Sequence, residues 1–556
     1  MDETFDFVVV GSGGGSMCAA LVMAAVGKKT LILEKTDLIG GSTAMAGGVM
    51  WIPNNPFQKP EGVEDSYDKA LTYLDALGGD RANAPGGTRE RQMAYLSEAP
   101  KMIDFLIDKG IKLRRIPYWP DYNDDLPGGS EEGRTVVAEL FDSNELGEWK
   151  KKLRPNFLAL PAKLDEAMKV GRFKTTWAGK RMLARIVLRA VTQKIQGKHY
   201  VTAGNALQGR MLQAAVKAGV EFRTDAAVHR LVTDAKGAVT GVVATIDGKE
   251  TRIGSRNGVL VNAGGFARNQ RMRDKYQPGT SVKWTYACVG DTGEMIEEMM
   301  RIGADIAQME EMVGCYMALP PEVNDTPSMV QGDVSSPHSM MVDQSGVRFI
   351  REAQSYMTFG QQMLAHDKIT PCIPSWMIFD TQYLKKYMLA GSMPGTKKPQ
   401  NWYDSGFLKK GETIEELAAA CKLDPRVLRA QVDRFNGFAR NGKDEDFHRG
   451  DRAYDNYLGD PAHKPSPTLG TIEKGPFYAV EIYPGDVGTY GGVVTDVQAR
   501  VLREDGSPIP GLYATGTSTA SVMGRSYPGA GSSIGPAFTW GYVAAKDAAN
   551  AHNLAL

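Results

Sequence analysis

A glycine-rich turn near the start of this 556-residue chain constrains its fold more than any other feature. The apolar run 5–10 leads into the turn Gly11-Ser12-Gly13-Gly14-Gly15-Ser16; a helix is predicted over 17–26, and a strand over 30–33 ends at Glu34. Glycines let a backbone approach a pyrophosphate at a helix N-terminus, and an acid after the second strand binds a ribose hydroxyl. The third fingerprint position is Ser16, which is still small. The segment therefore predicts a Rossmann-like dinucleotide-binding domain.

Further glycine turns favour FAD over NAD. Gly40-Gly41-Ser42-Thr43-Ala44, with Gly47 and Gly48, forms the second small-residue loop that a bulky flavin across the strand ends requires. Segments 258–265 and 511–516 are strands that run into similar turns, so the domain is discontinuous in sequence. The predicted cofactor-binding residues are Gly11, Gly13, Gly14, Gly15, Glu34, Lys35, Gly40, Gly41, Ser42, Thr43, Gly47, Gly48, Ala263, Gly264, Gly516, Ser533 and Ile534.

The glycine-turn pattern stops between about residues 309 and 484, where strand and helix signals are mixed. A second domain inserted into the first is the simplest interpretation. We expect an α/β protein whose FAD-binding domain comprises 1–309 and 485–556, with an α+β catalytic or capping domain over 310–484. The inserted domain would cover the flavin and close a substrate cleft at the domain interface.

Residues 150–198 form a basic insertion within the first part of the FAD-binding domain. The segment holds fourteen Lys/Arg and two acids, although the whole chain has no net charge. Arg181, Arg185 and Arg189 share one helical stripe, and apolar residues (Met182, Leu183, Ile186, Val187 and Val191) occupy the other side. This pattern is typical of a helix that lies on an anionic membrane surface. It is equally typical of a surface helix that packs its apolar face on the core while its arginines pair with acids.

Composition excludes several classes of function. The neutral net charge argues against a nucleic-acid partner. The five cysteines are scattered without a CxxC or a His/Cys cluster, so no metal site is predicted and a reducing compartment is favoured. We find no signal peptide and no apolar run long enough to span a bilayer, which predicts a cytoplasmic protein. If the basic helix binds lipid, the protein would attach peripherally to the inner face of the cell membrane.

The motif Tyr527-Pro-Gly-Ala-Gly531 offers a phenolic O–H and a glycine N–H that can converge on one carbonyl oxygen. Such a pair polarises a ketone and stabilises the enolate that forms from it. A helix predicted over 534–548 would direct its positive N-terminal end to the same place. The alternative is a tyrosine in a Gly/Pro turn packed beside a helix.

Outside the basic insertion, the chain resembles the flavoprotein 3-ketosteroid Δ1-dehydrogenases over nearly its whole length. The matching stretches are VVVGSGGGS, ILEKTDLIGGSTA, the WPDY that ends at Tyr122, GVRFIREAQSYMTFG around Tyr356, PSWMIFD, EDFHRG, GPFYAVEI and RSYPGAGSSIGPA. Several of them are typical of that family rather than of flavoproteins in general.

The resemblance implies a role for each tyrosine. Tyr356 would remove the proton from steroid C2, and Tyr122 would donate a hydrogen bond that makes Tyr356 more acidic. Tyr527 and the Gly531 N–H would hold the C3 oxygen while the C1 hydride passes to the flavin. An external acceptor, a quinone or similar compound, would reoxidise the flavin. Recruitment of lipid-dissolved steroids such as cholest-4-en-3-one would be a role for the basic insertion.

Two features depart from the family pattern, and other functions stay open. The insertion 150–198 is longer and more basic than in compact members of the family. Thr517 stands where many flavoproteins have an acid that contacts the ribityl chain. A 3-ketosteroid Δ4-(5α)-dehydrogenase is the alternative within the enzyme class, and a non-catalytic flavin-bound lipid carrier is the alternative outside it. A fumarate-reductase-like activity is less favoured, because it needs arginine and histidine where this chain has tyrosines.

Overall fold

The fold is described from a computed structural model that covers residues 1–78, 84–156, 158, 160–170, 173, 175–321 and 326–550. The strands are β1 (Glu3–Phe5), β2 (Phe7–Val10), β3 (Thr30–Leu33), β4 (Val49–Trp51), β5 (Leu113–Arg115), β6 (Thr135–Ala138), β7 (Phe141–Asp142), β8 (Tyr200–Val201), β9 (Glu221–Arg223), β10 (Ala226–Thr233), β11 (Val239–Ile246), β12 (Lys249–Ser255), β13 (Val259–Val261), β14 (Ile306–Ala307), β15 (Met312–Ala318), β16 (Ser328–Met329), β17 (Ser339–Val342), β18 (Ser375–Asp380), β19 (Lys409–Gly411), β20 (Phe477–Thr489), β21 (Gly492–Val493), β22 (Arg500–Leu502) and β23 (Pro508–Ala514). The helices are α1 (Gly14–Ala25), α2 (Gly41–Met45), α3 (Tyr67–Gly78), α4 (Arg89–Asp108), α5 (Leu164–Ala167), α6 (Trp177–Ile195), α7 (Ala203–Lys217), α8 (Gln270–Tyr276), α9 (Glu294–Arg301), α10 (Gln331–Val334), α11 (Tyr356–His366), α12 (Thr381–Lys386), α13 (Gln400–Asp404), α14 (Ile414–Ala420), α15 (Pro425–Asn441), α16 (Ala453–Leu458) and α17 (Ile534–Ala548).

A six-stranded sheet of order β22-β23-β13-β2-β3-β9 forms the centre of the nucleotide-binding part. Its inner strands pair in parallel, and β22 is antiparallel. Every residue of β2 and β3 is buried, as expected for parallel strands covered on both faces. The strands come from widely separated parts of the chain. This confirms the predicted discontinuous Rossmann-like domain.

Helices α1 and α17 lie unusually close together, because glycines remove the side chains between them. A Cβ added at Gly541 would lie 2.3 Å from the Gly15 carbonyl oxygen, and one at Gly14 would lie 1.9 Å from the Phe538 ring. The N-terminal fingerprint therefore serves both the dinucleotide turn and the packing of the last helix. The predicted helix over 534–548 forms with the predicted bounds.

A second, antiparallel sheet of order β16-β15-β20-β18-β17 lies in the inserted region, and β19 also pairs with β20. Its long strand β20 pairs with β15 on one side and β18 on the other. Helices α14 and α15 cover one face through a separate apolar cluster. The α+β character of the insertion is confirmed. The domain boundaries at 309/310 and 484/485 stay predictions.

The basic insertion folds into α5 and α6, and the apolar side predicted for α6 is divided. Met182 and Ile186 are buried against Ala162 and Ala167, whereas Val187 and Val191 are exposed. Only a narrow stripe of α6 contacts the short segment beneath it, so neither alternative, a fully covered or a fully exposed apolar side, describes the helix. Two of the counted basic residues, Arg172 and Lys174, lie outside the described residues.

Within the described part of the chain, no helix is long and apolar enough to cross a bilayer. Over the same residues, no group of three His, Cys, Asp or Glu side chains is arranged to hold a metal ion.

Candidate active site and flavin cradle

One cavity of about 440 Å³ extends from the glycine turns of the nucleotide-binding part to a cluster of tyrosines. Thirteen of the predicted cofactor-binding residues line it: Gly11, Gly13, Glu34, Lys35, Gly41, Ser42, Thr43, Gly47, Ala263, Gly264, Gly516, Ser533 and Ile534. The predicted catalytic residues Tyr122, Tyr356, Tyr527 and Gly531 line the same cavity. Residues from both the nucleotide-binding part and the inserted region thus meet around one space.

The remaining four predicted glycines, Gly14, Gly15, Gly40 and Gly48, lie outside the lining and support tight packing or turns. A Cβ added at Gly15 would lie 2.4 Å from the Ala537 carbonyl oxygen. A Cβ added at Gly48, whose φ is +62°, would lie 2.5 Å from the Gly204 backbone. These positions keep the glycine loops close to their neighbours.

Glu34 is fixed at the end of β3 by four hydrogen bonds. Its carboxylate accepts from the N–H and Oγ of Ser12 at 3.2 and 2.5 Å and from the N–H and Oγ1 of Thr36 at 2.9 and 2.8 Å. Its neighbour Lys35 donates to Thr292 and to Glu294 at 2.6 and 2.8 Å. A fixed acid beside a glycine turn is the arrangement that holds an adenosine ribose.

These residues fit an FAD molecule. A Cβ at Gly11 would lie 2.2 Å from the Asn262 carbonyl oxygen, so the first turn needs glycine there, and its φ of +92° requires the same. Gly13 and the loop Gly41–Thr43 are exposed to the cavity, where backbone N–H groups can hold phosphate oxygens. Thr517, the departure from the acid of many flavoproteins, also lines the cavity.

The three predicted catalytic tyrosines pack against one another. The ring centroids of Tyr122 and Tyr356 are 5.2 Å apart, those of Tyr356 and Tyr527 5.0 Å, and those of Tyr122 and Tyr527 5.8 Å. Tyr122 and Tyr527 belong to loops, and Tyr356 is the first residue of α11. The fold thus brings together three residues from distant parts of the sequence.

Backbone hydrogen bonds hold the Tyr122 and Tyr527 loops together. The Tyr122 N–H donates to the Pro528 carbonyl at 2.9 Å, and the Tyr73 hydroxyl donates to the same oxygen at 2.7 Å. Behind Tyr122, the buried Asp121 accepts from Trp51 Nε1 at 2.7 Å and pairs with Arg134 at 2.6 Å. The position of the cluster is therefore set by buried, charge-assisted contacts.

Gly531 occupies a conformation and a space that suit glycine. Its φ is +99°, and a Cβ would lie 2.6 Å from the Trp51 nitrogen and from the Val49 carbonyl oxygen. Its carbonyl accepts from Trp51 and Gly535 at 3.2 and 2.9 Å. Its N–H donates to no residue in the described ranges, and the residue lines the cavity. Tyr527 places its hydroxyl 3.1 Å from Ser533 Oγ, on the same loop.

Burial raises the pKa of all three tyrosines above the usual value of about 10. For Tyr356 the neighbouring Tyr122 and Tyr527 hydroxyls raise the pKa further. For Tyr527 the hydrogen bonds to Ser533 and Tyr356 oppose the effect of burial, but the pKa still lies above its usual value. These directions do not support the expectation that Tyr122 makes Tyr356 more acidic.

Tyr454 of α16 is a cluster member that the sequence did not indicate. Its ring stacks on Tyr122 at 4.3 Å, and its hydroxyl accepts from Gln331 Nε2 at 3.1 Å. Trp119, Gln331 and Asp291 also line the cavity without having been predicted. Trp119 lies in the matched WPDY stretch and Asp291 between Gly290 and Gly293, but neither pattern assigns these side chains to the cavity, and no motif surrounds Tyr454.

Comparisons with known proteins agree with this geometry. The FAD binding domain family model matches residues 6–534. A 3-oxosteroid 1-dehydrogenase from Mycolicibacterium smegmatis is 39% identical over 563 residues, which cover 98% of this chain and 97% of that protein. A 4-oxocyclohexanecarboxylate 2-dehydrogenase from Sinomonas cyclohexanicum is 34% identical over 560 residues, which cover 98% of this chain and 92% of that protein. The crystal structure of 3-ketosteroid delta1-dehydrogenase from Sterolibacterium denitrificans with 1,4-androstadiene-3,17-dione superposes with a TM-score of 0.91, at 34% identity over 99% of this chain and 100% of that chain.

The discontinuous Rossmann-like domain and its glycine cradle define an FAD-dependent oxidoreductase. Within that class, the chain belongs to the 3-oxosteroid 1-dehydrogenase family.

Proposed function

We propose that this chain catalyses the 1,2-dehydrogenation of 3-ketosteroids, in which a 3-keto-4-ene ring becomes a 3-keto-1,4-diene. One observation supports the proposal most directly: the cavity that the flavin cradle lines is also lined by Tyr122, Tyr356, Tyr527 and Gly531. The reaction removes a proton from C2 and a hydride from C1, and a double bond forms between these carbons. FAD, when bound, accepts the hydride at N5.

Tyr527 and Gly531 are the proposed donors to the C3 oxygen. An N–H that already has a partner could not serve, whereas the Gly531 N–H donates to no described residue and Gly531 lines the cavity. The Tyr527 hydroxyl, now 3.1 Å from Ser533, needs only to turn toward a ketone oxygen. Two such donors stabilise the negative charge that develops on oxygen when the C2 proton leaves.

Tyr356 is the proposed base. It stands at the N-terminal end of α11, where the helix dipole favours negative charge. Because burial raises the pKa of Tyr356, its phenol is protonated in most copies of the protein at neutral pH. The base role therefore depends on the small phenolate fraction and on its stabilisation by the N-terminal end of α11.

Product identification tests the proposal. Holoenzyme mixed anaerobically with androst-4-ene-3,17-dione should lose its oxidised flavin absorbance and form a 1,4-diene, identified by mass and proton NMR. Bound steroid with unchanged flavin would instead indicate a carrier. Oxidation of a saturated A ring at C4–C5, but not of the 4-ene, would indicate a Δ4-(5α)-dehydrogenase. Turnover of 4-oxocyclohexanecarboxylate alone would assign a single-ring substrate. Reoxidation by a quinone or similar acceptor can be followed in the same samples.

We also propose that α6 attaches the protein to an anionic membrane surface. Its outer face exposes Trp177, Leu188 and Ile195 by 77, 63 and 79%. Lys180, Arg181, Arg185 and Lys194 are exposed beside these apolar side chains. Apolar residues flanked by cations are what an interfacial helix presents to anionic lipid.

The short segment beneath α6 lines the cavity. Leu164 of α5, with Met168 and Lys169, lines the cavity, and the last two are exposed. Arg189 bonds inward to Glu166 at 2.8 Å and fixes α6 on α5, and the more exposed Arg185 lies 3.8 Å from the same carboxylate. A steroid that leaves a bilayer beneath α6 would thus meet the cavity after a short path. This supports the expected use of lipid-dissolved steroids, including cholest-4-en-3-one.

Liposome co-sedimentation tests the attachment. Wild type should pellet with phosphatidylglycerol vesicles but not with phosphatidylcholine vesicles. A Leu188→Ser/Val191→Ser/Ile195→Ser variant should stay in the supernatant. Ile369→Ser, a matched control at a distant residue that is 84% exposed, should behave as wild type. Equal pelleting of wild type and the triple variant would overturn the proposal.

A further inference from the structure

Lys169 is a cation at the mouth of the cavity, and no predicted role accounts for it. It follows α5 by two residues and lines the cavity together with Leu164 and Met168. The exposed fraction rises from 3% at Leu164 to 45% at Met168, and Lys169 is exposed as well. This segment therefore leads from the inside of the cavity to its opening.

The acids closest to Lys169 in the chain already have partners. Asp165 pairs with Arg114 of β5, and Glu166 pairs with Arg189 of α6 at 2.8 Å. These are the two acids of the basic insertion. Among the residues that the structure describes, the ammonium group of Lys169 forms no ion pair. Its positive charge is therefore not neutralised within its own segment.

The other charged residues that line the cavity belong to the flavin cradle, and they are Glu34, Lys35, Asp291 and Glu294. Lys35 pairs with Glu294 at 2.8 Å, and Ser42 of the second glycine loop donates to Asp291 at 3.0 Å. Around the tyrosines, the described lining consists of aromatic, aliphatic and uncharged polar residues, apart from Lys169. The part of the cavity proposed to hold the substrate thus carries a single charge over the described residues, and that charge is positive.

The segment that carries Lys169 packs beside the proposed ketone-binding turn. A Cβ at Gly47 would lie 3.7 Å from Leu164 and 3.8 Å from Val49. A Cβ at Gly531 would lie 2.6 Å from the Val49 carbonyl oxygen. Leu164 is therefore close to the strand that supports Gly531, and the chain runs outward from there to the mouth.

We propose that Lys169 is a specificity-determining residue, which binds the carboxylate of a 3-ketosteroid whose C17 side chain ends in an acid. The inference rests on the proposed function, in which Tyr527 and Gly531 hold the C3 oxygen. C17 is at the opposite end of the steroid, so its side chain would extend toward the mouth. The carbons of that side chain would contact Leu164 and Met168, and its carboxylate would meet the ammonium group of Lys169. An ion pair at such an exposed site favours the acid over a neutral analogue by about fivefold.

The experiment compares 3-oxochol-4-en-24-oic acid with its primary amide, which has nearly the same shape and no charge. Both are assayed with the holoenzyme at pH 8 without lipid, where the acid is ionised. The kcat/KM of wild type should be about fivefold higher for the acid at low ionic strength, and the preference should shrink in 1 M salt. Lys169→Gln should bring the ratio close to one, and Lys169→Glu should favour the amide. Lys198→Gln is the matched control, because it removes the same charge from an exposed residue of the basic insertion outside the lining, and it should keep the wild-type ratio.

Androst-4-ene-3,17-dione has no C17 side chain, so its oxidation tests the proposed function separately. Oxidation of this steroid with equal kcat/KM for acid and amide would overturn the role of Lys169 and leave the proposed function intact. If no steroid is oxidised, the Kd of 3-oxochola-1,4-dien-24-oic acid and of its amide, from intrinsic fluorescence, decides whether the acid is preferred.

Two further results would also overturn the proposal. One is an acid preference that Lys169→Gln leaves unchanged. The other is a loss of binding to phosphatidylglycerol vesicles in Lys169→Gln without a change in the acid preference, which would assign the lysine to lipid phosphate.

Discussion

At the scale of single residues, the site depends on a few donors whose positions the backbone controls. Gly531 lines the cavity with a φ of +99°, its N–H donates to no described residue, and a Cβ there would meet Trp51 and Val49. The Tyr527 hydroxyl reaches the same region from four residues upstream. Neither group is unusual alone. Their convergence on one cavity is what suits a ketone oxygen.

Tyr527→Phe should lower kcat by about a hundredfold while FAD stays bound, since one oxygen-binding donor is lost and the ring contacts remain. Steady-state kinetics with flavin absorbance measures both. Tyr490→Phe is the matched control, because its ring lies 5.8 Å from Tyr527 but its hydroxyl bonds to the Ser532 carbonyl. A wild-type rate in Tyr527→Phe would remove this residue from the mechanism.

Gly531→Ala should lower kcat at least as much, because a Cβ 2.6 Å from the Trp51 nitrogen must displace the turn that carries the N–H. Thermal unfolding would show a loss of stability as well. Gly437→Ala on α15 is the control, since a Cβ there meets no atom within 4 Å. There the helix should gain about 0.5–1 kcal/mol. Equal kinetics for the two variants would contradict the account.

The raised pKa of Tyr356 predicts a pH dependence. Burial favours the protonated phenol, so the fraction of active base is small at pH 7 and grows as pH rises toward the pKa. The kcat/KM for a 3-keto-4-ene steroid should therefore increase steadily from pH 6 to pH 9. A profile that falls over this range would exclude a phenolate base.

At the scale of elements, the loop after Tyr122 holds α16 of the inserted region. The Asp124 carboxylate accepts from the N–H groups of Ala453 and Tyr454 at 3.0 and 2.9 Å. Arg452 adds a bond to Asn123 at 3.0 Å and an ion pair with Asp125 at 2.9 Å. These contacts place Tyr454 over Tyr122, and they join the two parts of the chain beside the cavity.

Asp124→Ala should destabilise the protein by about 1–3 kcal/mol, because it leaves two N–H groups without a charged acceptor. It should also lower kcat, as Tyr454 would no longer be held on Tyr122. Asp125→Ala removes a half-exposed ion pair and should cost at most about 1 kcal/mol. Denaturant unfolding of both variants measures the difference. Equal losses of stability would show that the loop does not hold α16.

Elements with a local signal could be predicted, and contacts between distant segments could not. The strand at 30–33 and the helix at 534–548 match the prediction residue for residue, because burial and glycine spacing mark them. Tyr122 and Tyr356 were assigned only through family resemblance, since nothing beside them in sequence reports that they meet. Tyr454 and Asp291 were missed for the same reason. The sequence of α6 also could not show which of its apolar residues are buried, because that depends on the short segment that packs against the helix.

At the scale of the whole molecule, discontinuity of the FAD-binding part is what builds the site. Three distant segments form one mainly parallel sheet, and the inserted region returns Tyr356 and Tyr454 to the cavity beside the glycine turns. The last segment carries both Tyr527 and α17, which packs on the first glycine turn. The flavin cradle and the proposed ketone-binding residues therefore share the same structural support.

The central claim is that this cluster removes the C2 proton through Tyr356, and rapid mixing tests it most directly. Anaerobic holoenzyme is mixed with androst-4-ene-3,17-dione, protonated or deuterated at C2, and loss of oxidised flavin absorbance is timed. Wild type should bleach faster with the protonated steroid, and Tyr356→Phe should bleach at least about a hundredfold more slowly while retaining FAD. Bleaching of Tyr356→Phe at the wild-type rate would contradict the account.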